Sequence, residues 1–269
     1  MKTIQTIAAG PPWLLASVVC FVYIAAIAAL RPRLPPGNRA RAIAAALAAL
    51  TVTVAAGAIP QHPVVTGWLL PPALLLTAYW ASGLLFVAPM PRVERVLLHL
   101  DRSLRIHRLA AAAPRPVAEC LELAYAAVYP LIPLALIIHL FATSRPDTDR
   151  FWSVVLITDY ICFGMLPWIQ TRPPRALERE PAWRARFRRF NVRLLGKTSI
   201  QVNTFPSGHA AEALAAALLV LDAPLPLVVW MFLNALAISA GAVLGRYHYA
   251  ADAVTGWAVA AGVWLLLKG

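Results

Sequence analysis

The strongest constraint on this 269-residue chain is its succession of long apolar runs separated by polar segments. About eight runs are long enough to cross a bilayer, for which a helix needs roughly 20 residues. They cover residues 13–30, 40–59, 65–88, 117–141, 150–169, 206–222, 226–246 and 247–267. A soluble domain of this length could not bury so many separate apolar segments. The sequence therefore predicts an all-α fold, a polytopic membrane helical bundle of about eight transmembrane helices.

A polar insertion at residues 91–116 interrupts this succession after the third run. Its apolar residues recur at the spacing of one helix face, and arginines occupy positions between them. This pattern is typical of an amphipathic helix in the membrane interface, and an ordinary solvated linker helix fits it equally well. We divide the single integral-membrane domain 1–269 into N-terminal helices (1–90), this interfacial helix (91–116) and a core that bears the motifs described below (117–269).

The basic residues are distributed unevenly between the loops. Of the 24 Lys and Arg residues, 20 fall in loops that alternate to one side of the membrane if all eight runs span it. Because cytoplasmic loops are enriched in Lys and Arg, that side is predicted to face the cytoplasm, in a multi-pass protein of the plasma membrane. The assignment inverts for part of the chain if one run is re-entrant.

The net charge of +12 does not indicate a nucleic-acid partner, because the basic residues lie between membrane spans and no nucleic-acid motif accompanies them. Membrane lipids with anionic headgroups are the expected partners. Cys20, Cys120 and Cys162 lie inside apolar runs without metal-like spacing and are interpreted as buried, inert thiols. We expect no cofactor and no metal site, and the sequence leaves the oligomeric state open.

The sixth run opens with the segment Thr204-Phe205-Pro206-Ser207-Gly208-His209. Ser207 lies at a natural N-cap position. The unpaired amides and the positive end of the helix dipole attract an oxyanion there, and Gly208 lets a phosphate approach the backbone closely. His209 follows within the first turn, where it could give a proton to a leaving oxygen. Taken alone, this motif is also common at helix starts that have only a structural role.

A second motif, Arg246-Tyr247-His248-Tyr249-Ala250-Ala251-Asp252, begins the eighth run. Positions 248 and 252 share one helix face, so Asp252 can accept a hydrogen bond from one ring nitrogen of His248 and leave the other free as a nucleophile. An acid inside an apolar span is costly and is a functional candidate by default. Because runs six and seven return the chain to the same side, His209 and His248 are predicted to meet at one membrane face.

Arginines from two further places reach the same face. Arg172 and Arg175 follow the fifth run, and Arg246 precedes His248. Guanidinium groups match phosphate oxygens in bidentate pairs, although arginines beside a span are usually topology anchors. The convergence of three distant segments favours a phosphate site, at which Arg172, Arg175, Arg246, Ser207 and Gly208 are the candidates to bind the phosphate.

Together, these motifs resemble the type 2 phosphatidic acid phosphatase superfamily of membrane enzymes, and most of all its branch with inositol-phosphorylceramide synthase and bacterial relatives. The resemblance covers about residues 119–256 and rests on three segments: Pro173-Pro174-Arg175, Asn203 to His209, and Gly245 to Asp252 followed by Gly256. It implies a metal-independent reaction in which His248 attacks phosphorus to form a phosphohistidine. By the same resemblance, Asp252 orients His248, His209 protonates the leaving group, and Ser207, Gly208 and the arginines hold the phosphate.

Two positions depart from the wider superfamily's pattern. Met165 stands where a lysine is expected and Ala242 where an arginine is expected. Arg246 and Arg175 are candidates to supply the missing charge. Within or near the apolar spans, Glu119, Glu122 and Asp159 are predicted either to pair with the site's arginines, to shape a headgroup pocket or to lie at helix ends, and for Asp159 an interior polar role is favoured.

Three functions are compatible with these residues. The leading hypothesis is a lipid phosphatase that hydrolyses a lipid phosphate or pyrophosphate. A lipid phosphotransferase results if a lipid or polyol hydroxyl, for example in the exchange of an inositol-phosphate headgroup, resolves the phosphohistidine in place of water. The third is a lipid-binding or lipid-translocating protein without turnover, which is suggested by the absence of the expected lysine and arginine.

Overall fold

The computed structural model describes residues 10–58, 64–178 and 183–268. The ends of the predicted domain, residues 1–9 and 269, and the segments 59–63 and 179–182 lie outside the described residues. Within the described ranges the chain contains twelve α-helices and no β-strand, so the predicted all-α class is confirmed.

The helices form an N-terminal group, a polar pair and a core. The N-terminal group is α1 (Pro12–Leu30), α2 (Pro36–Ala58) and, after a π-helical turn (Val65–Leu69), α3 (Leu70–Gly83). The polar pair is α4 (Pro91–Ser103) and α5 (Ile106–Ala112). The core is α6 (Arg115–Ala126), α7 (Val128–Ala142), α8 (Thr148–Gly164), α9 (Arg186–Thr198), α10 (Gly208–Leu218), α11 (Leu225–Leu244) and α12 (Ala250–Leu266).

Helices lie at all eight predicted spans, but their lengths differ. By length and composition, α1, residues 36–57 of α2, and α11 can each cross a membrane. Helices α6 and α7 are long and apolar enough to cross a membrane only if they are taken together, and the chain bends by 64° at the break between them. Helix α10 has 11 residues, which at about 1.5 Å per residue is well short of a bilayer core of about 30 Å. The described residues therefore support three or four spans, and the count of eight stays a prediction.

Helix α10 lies at the centre of the core, packed against α7, α8, α11 and α12. Most of its alanine side chains are fully buried, which lets neighbouring backbones come close. The closest approach is to α12, because a Cβ atom at Gly256 would lie only 2.5 Å from the carbonyl oxygen of Ser207. This contact joins the starts of the two helices that bear the histidine motifs.

The predicted interfacial helix is two helices, separated at Arg105, whose φ is 57°. Val96, Leu100 and Leu104 are exposed, as expected for residues that contact lipid. The opposite face of α4 buries two acids, Glu94 and Asp101, an arrangement that the sequence pattern did not predict. Helix α4 packs against α12 and is therefore part of the core's surroundings.

The prediction of buried thiols is confirmed for Cys20 and Cys162 and wrong for Cys120. Cys120 is exposed because it faces outward on α6, whose inner face is formed by Ala118, Glu122 and Tyr125.

Candidate active site

The carboxyl group of Asp252 lies at the start of α12, where it contacts His248. Tyr249 is the N-cap residue of this helix, and Asp252 occupies its third position. Asp252 Oδ2 accepts a hydrogen bond from the Tyr249 amide at 2.9 Å and lies 3.3 Å from His248 Nδ1. His248 thus precedes the helix, so the pairing arises from a capping turn and not from the shared helix face that the sequence suggested. It leaves Nε2 of His248 without a bond to Asp252.

Asp252 is also bound to the other histidine motif. Its carbonyl oxygen accepts a hydrogen bond from the amide of Ser207 at 2.9 Å. Ser207 is the N-cap residue of α10, as predicted, and its Oγ accepts from the Ala210 amide at 3.3 Å. Ser207 and Asp252 are fully buried, and the hydrogen bond between them fixes the start of α10 relative to the start of α12.

The structure brings His209 and His248 together. Their ring centroids are 6.0 Å apart and the rings are nearly perpendicular, at 80°. Tyr125 and Tyr129 flank His209 with ring centroids at 5.7 and 6.3 Å. An aromatic wall therefore faces the side of His209 that is turned toward α6 and α7.

A pocket of about 420 Å³ opens between the two histidines. It is lined by polar and aromatic residues that include Arg175, Thr204, Gly208, His209, Tyr247 and His248. The Arg175 guanidinium carbon lies 5.0 Å from the centroid of the Tyr247 ring, and Arg175 forms no ion pair with the described residues. Its charge is thus available to an anion in the pocket.

The other two candidate arginines lie outside this pocket. Arg172 makes a bidentate ion pair with Glu94, with the closest atoms 2.8 Å apart, and this pairing lowers the pKa of Glu94. The buried Arg246 binds Asp101 at 2.5 Å and Glu178 at 2.7 Å. Ser207 also does not line the pocket, whereas Gly208 does. Of the predicted phosphate ligands, only Arg175 and Gly208 therefore face the histidines.

Glu122, which the sequence marked as an acid in an apolar run, is the centre of a buried network whose partners the sequence did not identify. Its carboxylate accepts hydrogen bonds from Trp183 Nε1 at 2.7 Å, Asn191 Nδ2 at 2.7 Å and the Tyr247 hydroxyl at 2.6 Å, and it pairs with Arg188 at 3.2 Å. An acid inside an apolar run was the only signal in the sequence. Its partners lie more than 60 residues away, beyond the reach of any helical periodicity.

The network supports the pocket through stacked rings. Tyr247 stacks on Tyr125, with ring centroids 4.3 Å apart and planes 6° apart, and Tyr125 in turn contacts His209. Arg188 lies over the Tyr247 ring at 5.4 Å. Stacked and cation-contacting rings of this kind are rigid, so Glu122 fixes the wall behind His209.

Both departures from the superfamily pattern have a place in this structure. Ala242 is fully buried in the cluster of Tyr125, Leu195 and Tyr247, and its carbonyl oxygen accepts from the amides of Tyr247 and His248, each at 2.9 Å. A larger side chain at position 242 would displace the tyrosine stack. Met165 lies at the C-terminal end of α8 and does not line the pocket.

Glu119 caps a helix. Its carboxylate accepts hydrogen bonds from the amides of Arg186 and Phe187, the first two residues of α9, at 2.7 and 3.0 Å. Carboxylates stabilise such helix starts through the unpaired amides and the helix dipole. Glu119 itself lies within α6 and not at the end of that helix, and its carboxylate also pairs with Arg115 at 3.6 Å. In the described part of the chain, no group of three or more His, Cys, Asp or Glu residues is arranged to hold a metal ion.

Comparison with known proteins gives one match. The family model described as the PAP2 superfamily matches residues 90–266, from the start of α4 to the end of α12. Both histidines, Asp252 and Arg175 lie inside the matched range. No curated protein and no solved structure matches the chain.

Proposed function

The chain belongs to the PAP2 superfamily of type 2 phosphatidic acid phosphatases, whose members are phosphatases and related phosphotransferases, and on this premise we propose that it is an integral-membrane lipid phosphatase. The proposed substrate is a lipid phosphate or pyrophosphate. The proposed reaction is hydrolysis through a phosphohistidine intermediate, without a metal ion.

The observation that supports this proposal most directly is the placement of the two imidazoles. A nucleophile attacks from about 3–3.5 Å, and a general acid acts within about 2.6–3.2 Å of the atom it protonates. For a phosphate ester held in line between the two groups, the reacting nitrogens are separated by the sum of these two distances and one P–O bond, roughly 7–8 Å. The ring centroids of His248 and His209 are 6.0 Å apart, and the ring nitrogens lie at the edges of the rings, so two imidazoles at this spacing can flank one phosphate ester.

The proposed first step uses both histidines. Nε2 of His248 attacks phosphorus, the N–P bond forms, and the bond from phosphorus to the lipid oxygen breaks. That oxygen takes its proton from His209. Asp252, through its contact with Nδ1, orients the imidazole and stabilises the positive charge that the ring acquires.

The second step returns the enzyme to its starting state. Water gives a proton to His209 and attacks phosphorus, the N–P bond breaks, and phosphate leaves. Arg175 and the positive end of the α10 helix dipole, beside Gly208, are what we assign to the phosphate oxygens in both steps. For Arg172 and Arg246 to bind the phosphate as predicted, their ion pairs with Glu94, Asp101 and Glu178 would have to open. We therefore propose that they act on the site by positioning it.

Transfer to an alcohol is the second candidate function. The motifs around Arg175, His209 and His248 resemble those of the branch that includes inositol-phosphorylceramide synthase, and this resemblance supports the second candidate. In that case a lipid or polyol hydroxyl takes the place of water in the second step. The same geometry serves both reactions, because His209 accepts the proton of whichever hydroxyl attacks.

An assay of the purified full-length chain in detergent separates these functions. Lipid phosphates are supplied with and without acceptor alcohols, and both free phosphate and lipid products are measured. Phosphate release without acceptor supports the phosphatase, and product formed only with acceptor supports the transferase. No turnover by the wild type, combined with lipid transport in vesicles, would identify the non-catalytic carrier and contradict both proposals.

Two controls accompany this assay. His248→Ala is expected to abolish turnover, and His99→Ala, which changes an exposed histidine on α4, is expected to leave it unchanged. Added chelator is expected to have no effect if no metal ion takes part.

A further inference from the structure

A second cavity adjoins the pocket between the histidines and is much larger, at about 1220 Å³. Its walls come from the π-helical turn, α3, α7, α8 and α10 and are mostly apolar; Trp68, Leu75, Ile132, Leu136 and Trp152 are among them. Tyr79, Phe163, Gly208 and His209 line both spaces. The two spaces therefore lie side by side and share a wall at His209.

Two acids line this otherwise apolar cavity, Asp159 on α8 and Glu212 on α10. Asp159 is only 1% exposed, and its Oδ2 atom has no hydrogen-bond partner among the described residues. Neither acid forms an ion pair within that part of the chain. A buried polar atom without a partner is costly, so an oxygen atom of this kind indicates a missing donor.

The acids lie close to the position of the reacting phosphate. A Cβ atom at Gly208 would lie 3.4 Å from Asp159 Oδ1, so this carboxyl group is next to the first turn of α10. Glu212 follows His209 by three residues and therefore projects from the same face of α10, one turn further along. A group that contacts these carboxyls is thus near the lipid oxygen that His209 protonates.

We propose that this cavity binds the hydrocarbon part of the substrate and that Asp159, aided by Glu212, accepts a hydrogen bond from a free hydroxyl near the phosphate ester. The proposal rests on the proposed function and adds a substrate class: long-chain lipid phosphates with a hydroxyl group close to the phosphate. A carboxyl group accepts hydrogen bonds whether it is ionised or protonated, and a hydroxyl both donates and accepts. A hydroxyl therefore satisfies the site in either state, whereas an ammonium group requires an ionised acid.

The expected selectivity follows from the free-energy cost of leaving Asp159 without a hydrogen-bond donor. A lipid phosphate without the hydroxyl leaves Asp159 unpaired in the complex, and sites built to bond a substrate hydroxyl discriminate strongly against such analogues. We expect a preference of about 10- to 100-fold in kcat/KM for the hydroxylated lipid.

The test compares hexadecyl phosphate with its analogue that has a hydroxyl on the carbon next to the ester carbon. Phosphate release by the full-length protein in detergent is measured for wild type, Asp159→Leu and, as a matched control, Asp222→Leu at an exposed turn after α10. We expect Asp159→Leu to lose the preference, and Asp222→Leu to keep both the preference and the rate on hexadecyl phosphate. Glu212→Leu is expected to weaken the preference.

The outcomes are distinguishable. If the wild type turns over both lipids equally, the inference is wrong and the proposed function stands, whether or not the Asp159→Leu protein folds. If the preference persists in a folded Asp159→Leu protein, it originates elsewhere and the inference is also wrong. If neither lipid is turned over, nor any other lipid phosphate, the proposed function fails and the inference fails with it.

Discussion

At the scale of single residues, one oxygen atom of Asp252 has two partners. It accepts a hydrogen bond from the Tyr249 amide as part of the cap of α12 and contacts Nδ1 of His248. Its position is set by the helix start, so the orientation of His248 is set by the same turn. An asparagine at position 252 keeps the shape of the side chain and an oxygen that can cap α12, but it carries no charge. Replacing Asp252 by asparagine therefore tests its electrostatic effect on His248 without removing the helix cap.

We predict that Asp252→Asn lowers kcat by about a thousandfold or more and leaves the fold intact. The amide neither stabilises a positively charged His248 nor fixes the tautomer with Nε2 free, and changes of this kind cost about 10⁴-fold in a serine protease triad. Kinetics on a lipid phosphate and thermal unfolding in detergent are measured together. Asp222→Asn is the control, and a kcat within tenfold of wild type would contradict the assignment.

For His209 the prediction concerns the leaving group. His209→Ala is expected to lower kcat on an alkyl phosphate by about 10²- to 10⁴-fold, because the departing alkoxide then lacks a proton donor. An aryl phosphate, whose phenolate leaves without a proton, is expected to be affected much less. The ratio of the two rates is measured for this variant and for His99→Ala. Equal losses on both substrates would show that His209 is not the general acid.

The sequence predicted the residues with local signatures and missed those held by distant partners. The N-cap at Ser207 and the contact between His248 and Asp252 follow from spacings of a few residues. The ion pairs of Arg172 with Glu94 and of Arg246 with Asp101 join positions 78 and 145 residues apart. A guanidinium group favours a carboxylate as much as a phosphate, so the residue type alone could not tell which anion each arginine faces.

At the scale of secondary structure, the two buried acids of α4 bind the segments that surround the site. Asp101 binds Arg246 through one carboxylate oxygen and the amide of Ala250, the first residue of α12, through the other, at 3.0 Å. Glu94 binds Arg172, whose carbonyl oxygen accepts from the Tyr249 hydroxyl at 3.0 Å. One helix therefore holds both the loop after α8 and the start of the helix that bears Asp252.

We predict that Asp101→Ala destabilises the protein by roughly 3–5 kcal/mol, because it leaves the buried Arg246 with one carboxylate instead of two. The measurement is thermal or denaturant unfolding in detergent. A matched control is Asp222→Ala, which changes an exposed acid in the turn after α10. Replacing Asp101 and Arg246 together by apolar residues is expected to recover part of the loss. An unchanged midpoint in Asp101→Ala would contradict the fastening role of α4.

The pair of Glu94 with Arg172 predicts a pH dependence. Arg172 lowers the pKa of Glu94 below its ordinary value of 4.5, so the folded state binds this proton less readily than the unfolded state. The pair's stabilisation is therefore present above pH 4.5 and is lost as the pH falls through the lowered pKa. Wild type is expected to lose more stability than Glu94→Gln over that range. The difference is small because the Arg172 side chain is 44% exposed, and unfolding curves that fall in parallel would contradict it.

The breaks between helices were less predictable than their starts. The run 117–141 read as one span, yet the chain bends between α6 and α7. Pro130 has no amide proton for the carbonyl of Ala126, and its ring crowds that carbonyl, so the helix breaks at this point. Hydropathy does not register this effect, because proline interrupts the backbone and leaves the apolar composition unchanged.

At the scale of the whole molecule, the packing of the helices does not determine which face of the protein is cytoplasmic. The loop between α7 and α8 and the arginine-rich helix α9 lie at opposite ends of α8 in the chain, and the charge bias predicts that only the second faces the cytoplasm. Because α8 has 17 residues, the lower limit for a spanning helix of about 17–25, its crossing is open to a direct test.

We predict that a single cysteine at Arg193 reacts with a membrane-impermeant maleimide only after cells are opened, and that one at Arg145 reacts in intact cells. Both side chains are exposed, and each cysteine is introduced into a Cys120→Ser background because Cys120 is exposed as well. The reverse pattern would place the candidate active site on the outer face and show that its arginines serve the site and do not report topology. Labelling of both cysteines from one side would show that α8 does not cross the membrane, which reduces the number of spans and reverses the predicted orientation of the elements before it.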